Sequence, residues 1–186
     1  MGSPYFRWVY FYDSWVLHTP QPLRSRRDPF VHNDYLFELK LDGFRALARI
    51  EDGRCELFSR NGSKFNGFKY LAGDIASSLP LTRRAVLDGE IVCLDENGYR
   101  QLNDLLFHRA EPCFFVFDVL SLEGYDLRNN ALIERKAELR RLLSKVALNS
   151  RMRYVDHVER NGTGLFELIC ERDLEGTLPS SGTGIT

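Results

Sequence analysis

No run of ~18 or more apolar residues occurs in the 186-residue chain, so no membrane-spanning helix is predicted. The most apolar segment, Tyr5 to Leu17, is shorter and is interrupted by Arg7 and Asp13. It also lacks the basic start and small-residue cleavage site of a secretory leader. An excess of charge of one sign is missing too, because the formal net charge is −1. Any contact with a polyanion must therefore come from a local basic patch. Cysteine is sparse: Cys55, Cys93, Cys113 and Cys170 stand far apart with no C-x-x-C pair. That argues against a disulfide framework or a zinc site and for reduced thiols in a cytoplasmic protein. His18, His32, His108 and His157 show no ligand-like spacing. Neither G-x-x-x-x-G-K nor G-x-G-x-x-G occurs, which argues against a P-loop or Rossmann site. No internal repeat is visible.

What is present suits one globular domain: 44% of residues are hydrophobic and 27% charged. Residues 1–21 are aromatic without a period and read as an extension outside the fold. Pro20-Gln21-Pro22 marks a break, followed by a basic loop through Arg24, Arg26 and Arg27. Strands are expected over 35–40, 45–50 and 54–60, the last two joined by a hairpin at Asp52-Gly53. Leu71, Ile75 and Leu79 mark one face of a helix over 68–79. Further strands are expected over 85–94, 113–120 and 152–158, with helices over 102–107, 132–146 and 164–172. Hairpins outnumber strand–helix–strand units, which predicts an α+β fold of antiparallel sheets flanked by helices. The Ser/Gly/Thr/Pro-rich tail over 177–186 is expected to be disordered.

The residues that could carry chemistry are charges inside apolar strands, because an unpaired buried charge is costly. Lys40, Glu90, Asp118 and Glu175 are of this kind. Each alone reads as a strand-end residue or half of a buried salt bridge, and Lys40-Leu41-Asp42-Gly43 alone reads as a strand entering a turn. Together, three carboxylates around one lysine could hold a divalent metal and a charged ligand. A lysine nucleophile needs a lowered proton affinity, since at neutral pH only about one in a thousand free lysines is uncharged. Desolvation and a nearby cation supply that; Asp42 opposes it unless its charge is directed elsewhere. Arg45 and Arg60 offer guanidinium forks to phosphate or ribose, or are solvated surface arginines.

The order of these motifs resembles the covalent nucleotidyltransferases. It runs through Lys40-Leu41-Asp42-Gly43-Phe44-Arg45, Ser59-Arg60-Asn61-Gly62, Asp88-Gly89-Glu90, Phe115-Val116-Phe117-Asp118 and Glu175-Gly176. Within that superfamily it is most similar to ATP-dependent DNA ligases, in particular the ligase domain of bacterial ligase D-type end-joining enzymes. Leu36 to Lys40, Phe44 to Ala48, Gln101 to Leu106 and Ile133 to Lys136 add to the likeness.

The resemblance implies an ATP-grasp-like adenylation domain over residues 22–176, acting with Mg²⁺ or Mn²⁺ on nicked or broken double-stranded DNA. It implies that Lys40 attacks the α-phosphate of ATP, with Glu38 by the adenine amino group and Phe117 stacked on the ring. Arg45 and Glu90 would contact the ribose, Arg60 the nucleotide or a DNA 5′-phosphate, and Asp42 would line the nucleotide site. Glu90 and Glu175 would hold the metal. Two departures accompany the likeness. Ser180 stands where the family has the lysine of Glu-Gly-x-x-x-Lys, and no OB-fold follows Glu175, so one would have to come from elsewhere. From these, nick sealing by this chain is expected to be impaired. The alternative expectations are an inert nucleotide-binding remnant, or an RNA ligase or capping-type enzyme.

Overall fold

The computed structural model describes residues 31–38, 41, 43–80, 82–94, 105 and 110–171. Its elements are β1 (Val31–Glu38), β2 (Phe44–Glu51), β3 (Arg54–Ser59), α1 (Lys69–Ser77), β4 (Ala85–Cys93) and β5 (Pro112–Leu122). They continue as β6 (Tyr125–Asp126), α2 (Leu132–Leu143), β7 (Met152–Tyr154), β8 (His157–Asn161) and α3 (Gly162–Glu171). This is the α+β arrangement expected, with strand pairs antiparallel except for one. The larger sheet has the order β3-β2-β4-β5-β6, and β7 pairs parallel to β5. The smaller sheet is β1 with β8.

The β2–β3 hairpin turns at Asp52 (φ 48°) and Gly53 (φ 70°), the paired positive φ that a tight two-residue hairpin requires. A second such turn, at Glu123 (φ 52°) and Gly124 (φ 84°), joins β5 to β6. The sequence reading misses it because a two-residue strand carries no period.

One face of the large sheet supplies the core. Ala46, Ala48, Ile50, Leu87, Ile91, Val116 and Val119 pack with Leu71 and Ile75 of α1 and with Leu139, Leu142 and Leu143 of α2. The alternation of buried and half-exposed residues along β2 follows directly from strand period two.

The single strand expected over 152–158 is two strands in different sheets. Val155 donates its N–H to the Val116 carbonyl (2.9 Å) and is buried, which ends the run beside β5. Asp156 is exposed and pairs with Arg140 of α2, and the chain then turns onto β1. β1 itself begins at Val31, ahead of the expected start at Tyr35. The expected helix over 102–107 lies almost wholly outside the described residues, as do the extension over 1–21 and the tail over 177–186. Among the described residues no helix is long and apolar enough to cross a membrane.

Candidate active site

The site is built on the side of the large sheet opposite the core. Strand register sets Arg45 of β2 across from Glu90 of β4, and Leu47 across from Asp88. Arg45 forks onto Asp88, with Nε to Oδ1 at 3.0 Å and Nη2 to Oδ2 at 2.7 Å. A bidentate arginine–carboxylate pair fixes both side chains in one geometry. Just ahead of it, the Gly43 N–H donates to Glu90 Oε1 at 3.1 Å. The segment that follows Lys40 is therefore tied to β4 twice.

Two glycines are dictated by this close approach. A Cβ on Gly43 would sit 2.1 Å from the Ile91 carbonyl oxygen, and one on Gly89 would sit 2.4 Å from that of Phe115. The glycines of Asp42-Gly43 and Asp88-Gly89-Glu90 thus let the β2 entry, β4 and β5 lie against one another.

Simple alternation would put Phe117 and Asp118 on opposite faces of β5. The ladder prevents that: Gly89 pairs with Val116 and Asp88 with Asp118, leaving Phe117 as an extra residue. Such a bulge re-aims side chains and is frequent beside functional sites. Phe117 and Asp118 consequently both serve the site side. Phe117 is buried, and the Arg45 guanidinium lies 5.3 Å from its ring centroid.

Asp118 is 1% exposed and is taken up by Arg135 of α2, with contacts at 2.9 and 2.8 Å, and by the Val119 N–H at 2.8 Å. Burial pushes its carboxyl above the usual range, and the Arg135 guanidinium opposes that shift. Of the sequence candidates for holding a metal, Asp118 is therefore removed: its oxygens are engaged by an internal cation.

Glu38, at the end of β1, is buried against Lys136 of α2, with which it forms an ion pair. Burial raises its carboxyl to about 7, with the Lys136 ammonium opposing and the nearby Asp118 and Asp88 adding to the rise. Arg135 and Lys136 occupy the inward face of α2 together with Leu139, at positions where an amphipathic helix normally carries apolar residues. Cations at those positions were the signal that could have identified Arg135 and Lys136 as partners of the site from sequence.

Arg60 is exposed in the turn after β3, which Gly62 closes with an N–H to the Ser59 carbonyl (2.9 Å). Ala46 pairs with Ser59, so the register carries Arg60 to the Arg45 end of the sheet. Arg45, Glu90 and Phe117 are thus gathered at one place, Glu38 joins them through the charge cluster, and Arg60 flanks it. Lys40, Asp42 and Glu175 lie outside the described residues. Cys55, Cys93 and Cys113 are free thiols, and burial pushes Cys55 up to about 12.

Residues 23–177 match the family model described as the ATP dependent DNA ligase domain. The multifunctional non-homologous end joining protein LigD of Pseudomonas aeruginosa is 35% identical over 171 residues, covering 86% of this chain and 20% of the relative. The bifunctional non-homologous end joining protein LigD of Bacillus subtilis is 30% identical over 152 residues, covering 70% of this chain and 24% of the relative. The chain spans only about a fifth to a quarter of the length of these two relatives. The ligase domain of M. tuberculosis LigD matches with a TM-score of 0.63 at 25% identity, over 78% of this chain and 46% of that one. A mycobacterial DNA ligase D complexed with ATP and MES matches with a TM-score of 0.59 at 25% identity, over 75% and 44%.

Proposed function

The chain belongs to the ATP-dependent DNA ligase domain family, and from that premise we propose that Lys40 is the nucleophile of an adenylyl transfer. The neutral Lys40 Nζ attacks the α-phosphorus of ATP. A nitrogen–phosphorus bond forms, the bond from that phosphorus to the bridging oxygen breaks, pyrophosphate leaves and the amine proton passes to solvent. In the steps that seal DNA, a 5′-phosphate oxygen displaces Lys40 from the AMP. The adjoining 3′-hydroxyl then displaces AMP and joins the strand. The substrate is nicked or broken double-stranded DNA, in the sense of the end-joining relatives.

The observation that carries this reading is the double tie to β4 of the residues that follow Lys40 in sequence, through Gly43 to Glu90 and Arg45 to Asp88. It supports one wall on which Arg45 and Glu90 address the ribose, Phe117 the adenine ring and Glu38 its amino group. Arg60 and Asp42 serve the nucleotide from the flanks.

Among the described residues no three His, Cys, Asp or Glu side chains form a closed metal cage. The half-buried Glu90 fits Mg²⁺ in another way, since that ion is commonly held by one or two carboxylates together with substrate phosphates. Glu90 and Glu175 would hold Mg²⁺ or Mn²⁺, which neutralises charge on the triphosphate and favours an unprotonated Lys40.

The test is direct. The protein is incubated with ATP labelled at the α-phosphate and Mg²⁺, then denatured. Covalent label is expected on the chain and none on Lys40→Ala. Absence of label, or label that survives Lys40→Ala, sinks the proposal and leaves a nucleotide-binding protein without the chemistry. A nicked-duplex assay reads the sealing steps separately.

A further inference from the structure

Lys136 is 1% exposed, and its buried position is shared with a carboxylate rather than with apolar side chains alone. The Glu38–Lys136 ion pair joins the end of the small sheet to α2, which packs on the large one. Its surroundings are well defined. The Lys136 ammonium lies 5.5 Å from the Tyr154 ring centroid, and the Tyr154 hydroxyl meets His157 Nδ1 at 3.1 Å. His157 pairs with Glu38 across the β1–β8 ladder. Glu38 thus faces Lys136 of α2, Tyr154 of β7, His157 of β8 and, at longer range, Asp118 of β5 and Asp88 of β4.

Two buried carboxylates near Glu38 disfavour its charge, and Lys136 is the cation that favours it. An ionised carboxylate only accepts hydrogen bonds, whereas a protonated one also donates. Adenine carries an amino donor at position 6 of its ring, and guanine carries a carbonyl acceptor there. Facing guanine, an ionised Glu38 would leave two acceptors opposed in a buried site, and such mismatches discriminate strongly.

We propose that Lys136 is a positioning residue for base selectivity: through its ion pair it keeps Glu38 an acceptor, so that the site takes adenine and refuses guanine. This rests on the reading above that Glu38 lies at the adenine amino group. Lys136 itself touches no substrate; it acts through Glu38.

The experiment separates selectivity from chemistry. Equilibrium binding of ATP and of GTP is measured on the full chain in a Lys40→Ala background from pH 6 to 9. The preference for ATP is expected to rise by roughly tenfold with pH, with a midpoint near the Glu38 value of about 7. Lys136→Met should move that midpoint upward by more than about one pH unit, because the favouring cation is gone. Lys136→Arg, which keeps the cation, should stay within about threefold of the parent preference. Glu38→Gln presents both a donor and an acceptor and should bind both nucleotides alike at every pH. Where Lys136→Met fails to fold, Glu38→Gln combined with Lys136→Met removes both charges and must show the same flat profile, while Lys136→Arg must retain the parent one.

An unchanged preference and midpoint in Lys136→Met overturns the proposal, as does an equal loss of both nucleotides with no change in their ratio. Failure of both the Lys40→Ala protein and the protein with intact Lys40 to bind either nucleotide overturns both this and the adenylyl-transfer reading. If the binding pattern appears but no covalent label forms on the protein with intact Lys40, the selectivity proposal stands and the adenylyl-transfer reading falls.

Discussion

Arg45 and Arg49 project from the same side of β2, four residues apart, and each is paired with a carboxylate and set over a phenylalanine ring. Arg45 meets Asp88 and lies 5.3 Å from the Phe117 centroid; Arg49 meets Glu56 and lies 5.6 Å from that of Phe58. The chemistry is the same, but the surroundings differ. The side chains of the first pair are 14% and 1% exposed, and those of the second are 57% and 31% exposed. In the buried pair each charge depends on the other, because neither has water to replace its partner. In the exposed pair, solvent and salt stand ready to do so. Charges inside the sheet therefore define geometry, and exposed charges on the hairpin contribute little to it.

Removing one member of a buried pair is the strongest way to probe that difference. Arg135→Met leaves Asp118 charged and unpaired, and should lower unfolding free energy in urea by about 3–5 kcal/mol. Asp118→Leu combined with Arg135→Met should recover most of that loss, since no lone ion then remains. Failure of the double variant to recover would mean that the pair contributes shape as well as charge.

The next effect depends on pH. The Glu38 carboxyl is raised from 4.5 to about 7 in the folded protein, so the folded state holds its proton more tightly than the unfolded one. The stabilisation this gives is full below the unfolded value and is lost as pH rises through the folded value. Between pH 4.5 and 7 the loss should be on the order of 3 kcal/mol. Glu38→Gln should flatten that part of a urea stability profile. An equal slope in the variant would assign the dependence to another group.

Asp88→Asn weakens the fork to Arg45 while keeping its shape, and should cost about 2 kcal/mol. It should also slow formation of covalent label from ATP more than it raises the ATP concentration needed, because Arg45 is displaced and not lost. The smallest effect is expected for Glu56→Gln on the exposed hairpin, with no resolvable shift in the thermal midpoint at moderate salt. A clear shift there would remove the contrast between the two arginines.

Local pattern accounts for much of the fold. Period two along β2, the Asp52-Gly53 turn and the Leu71/Ile75 face of α1 are all short-range properties, and the structure has them. Less local features were not legible. Asp118 is a strand charge by pattern, and the contribution of Arg135 from a different element decides that it is structural. Phe117 and Asp118 violate alternation because the β4–β5 ladder slips by one residue. The division of 152–158 between two sheets depends on which neighbours accept its hydrogen bonds. Of the expected site, Arg45, Glu90 and Phe117 come together at one place, and Glu38 is paired with Lys136 within electrostatic reach of Asp88 and Asp118; the positions of Lys40, Asp42 and Glu175 fall outside the described residues.

By itself the sequence determined most of the described element types, the α+β class and the membership signalled by five ordered motifs, because these depend on residue spacing along the chain. Only the tertiary structure decided which buried charges neutralise one another. That outcome depends on partners from β1, β2, β4, β5 and α2 meeting in a dry interior, where a charge is tolerated only beside its opposite.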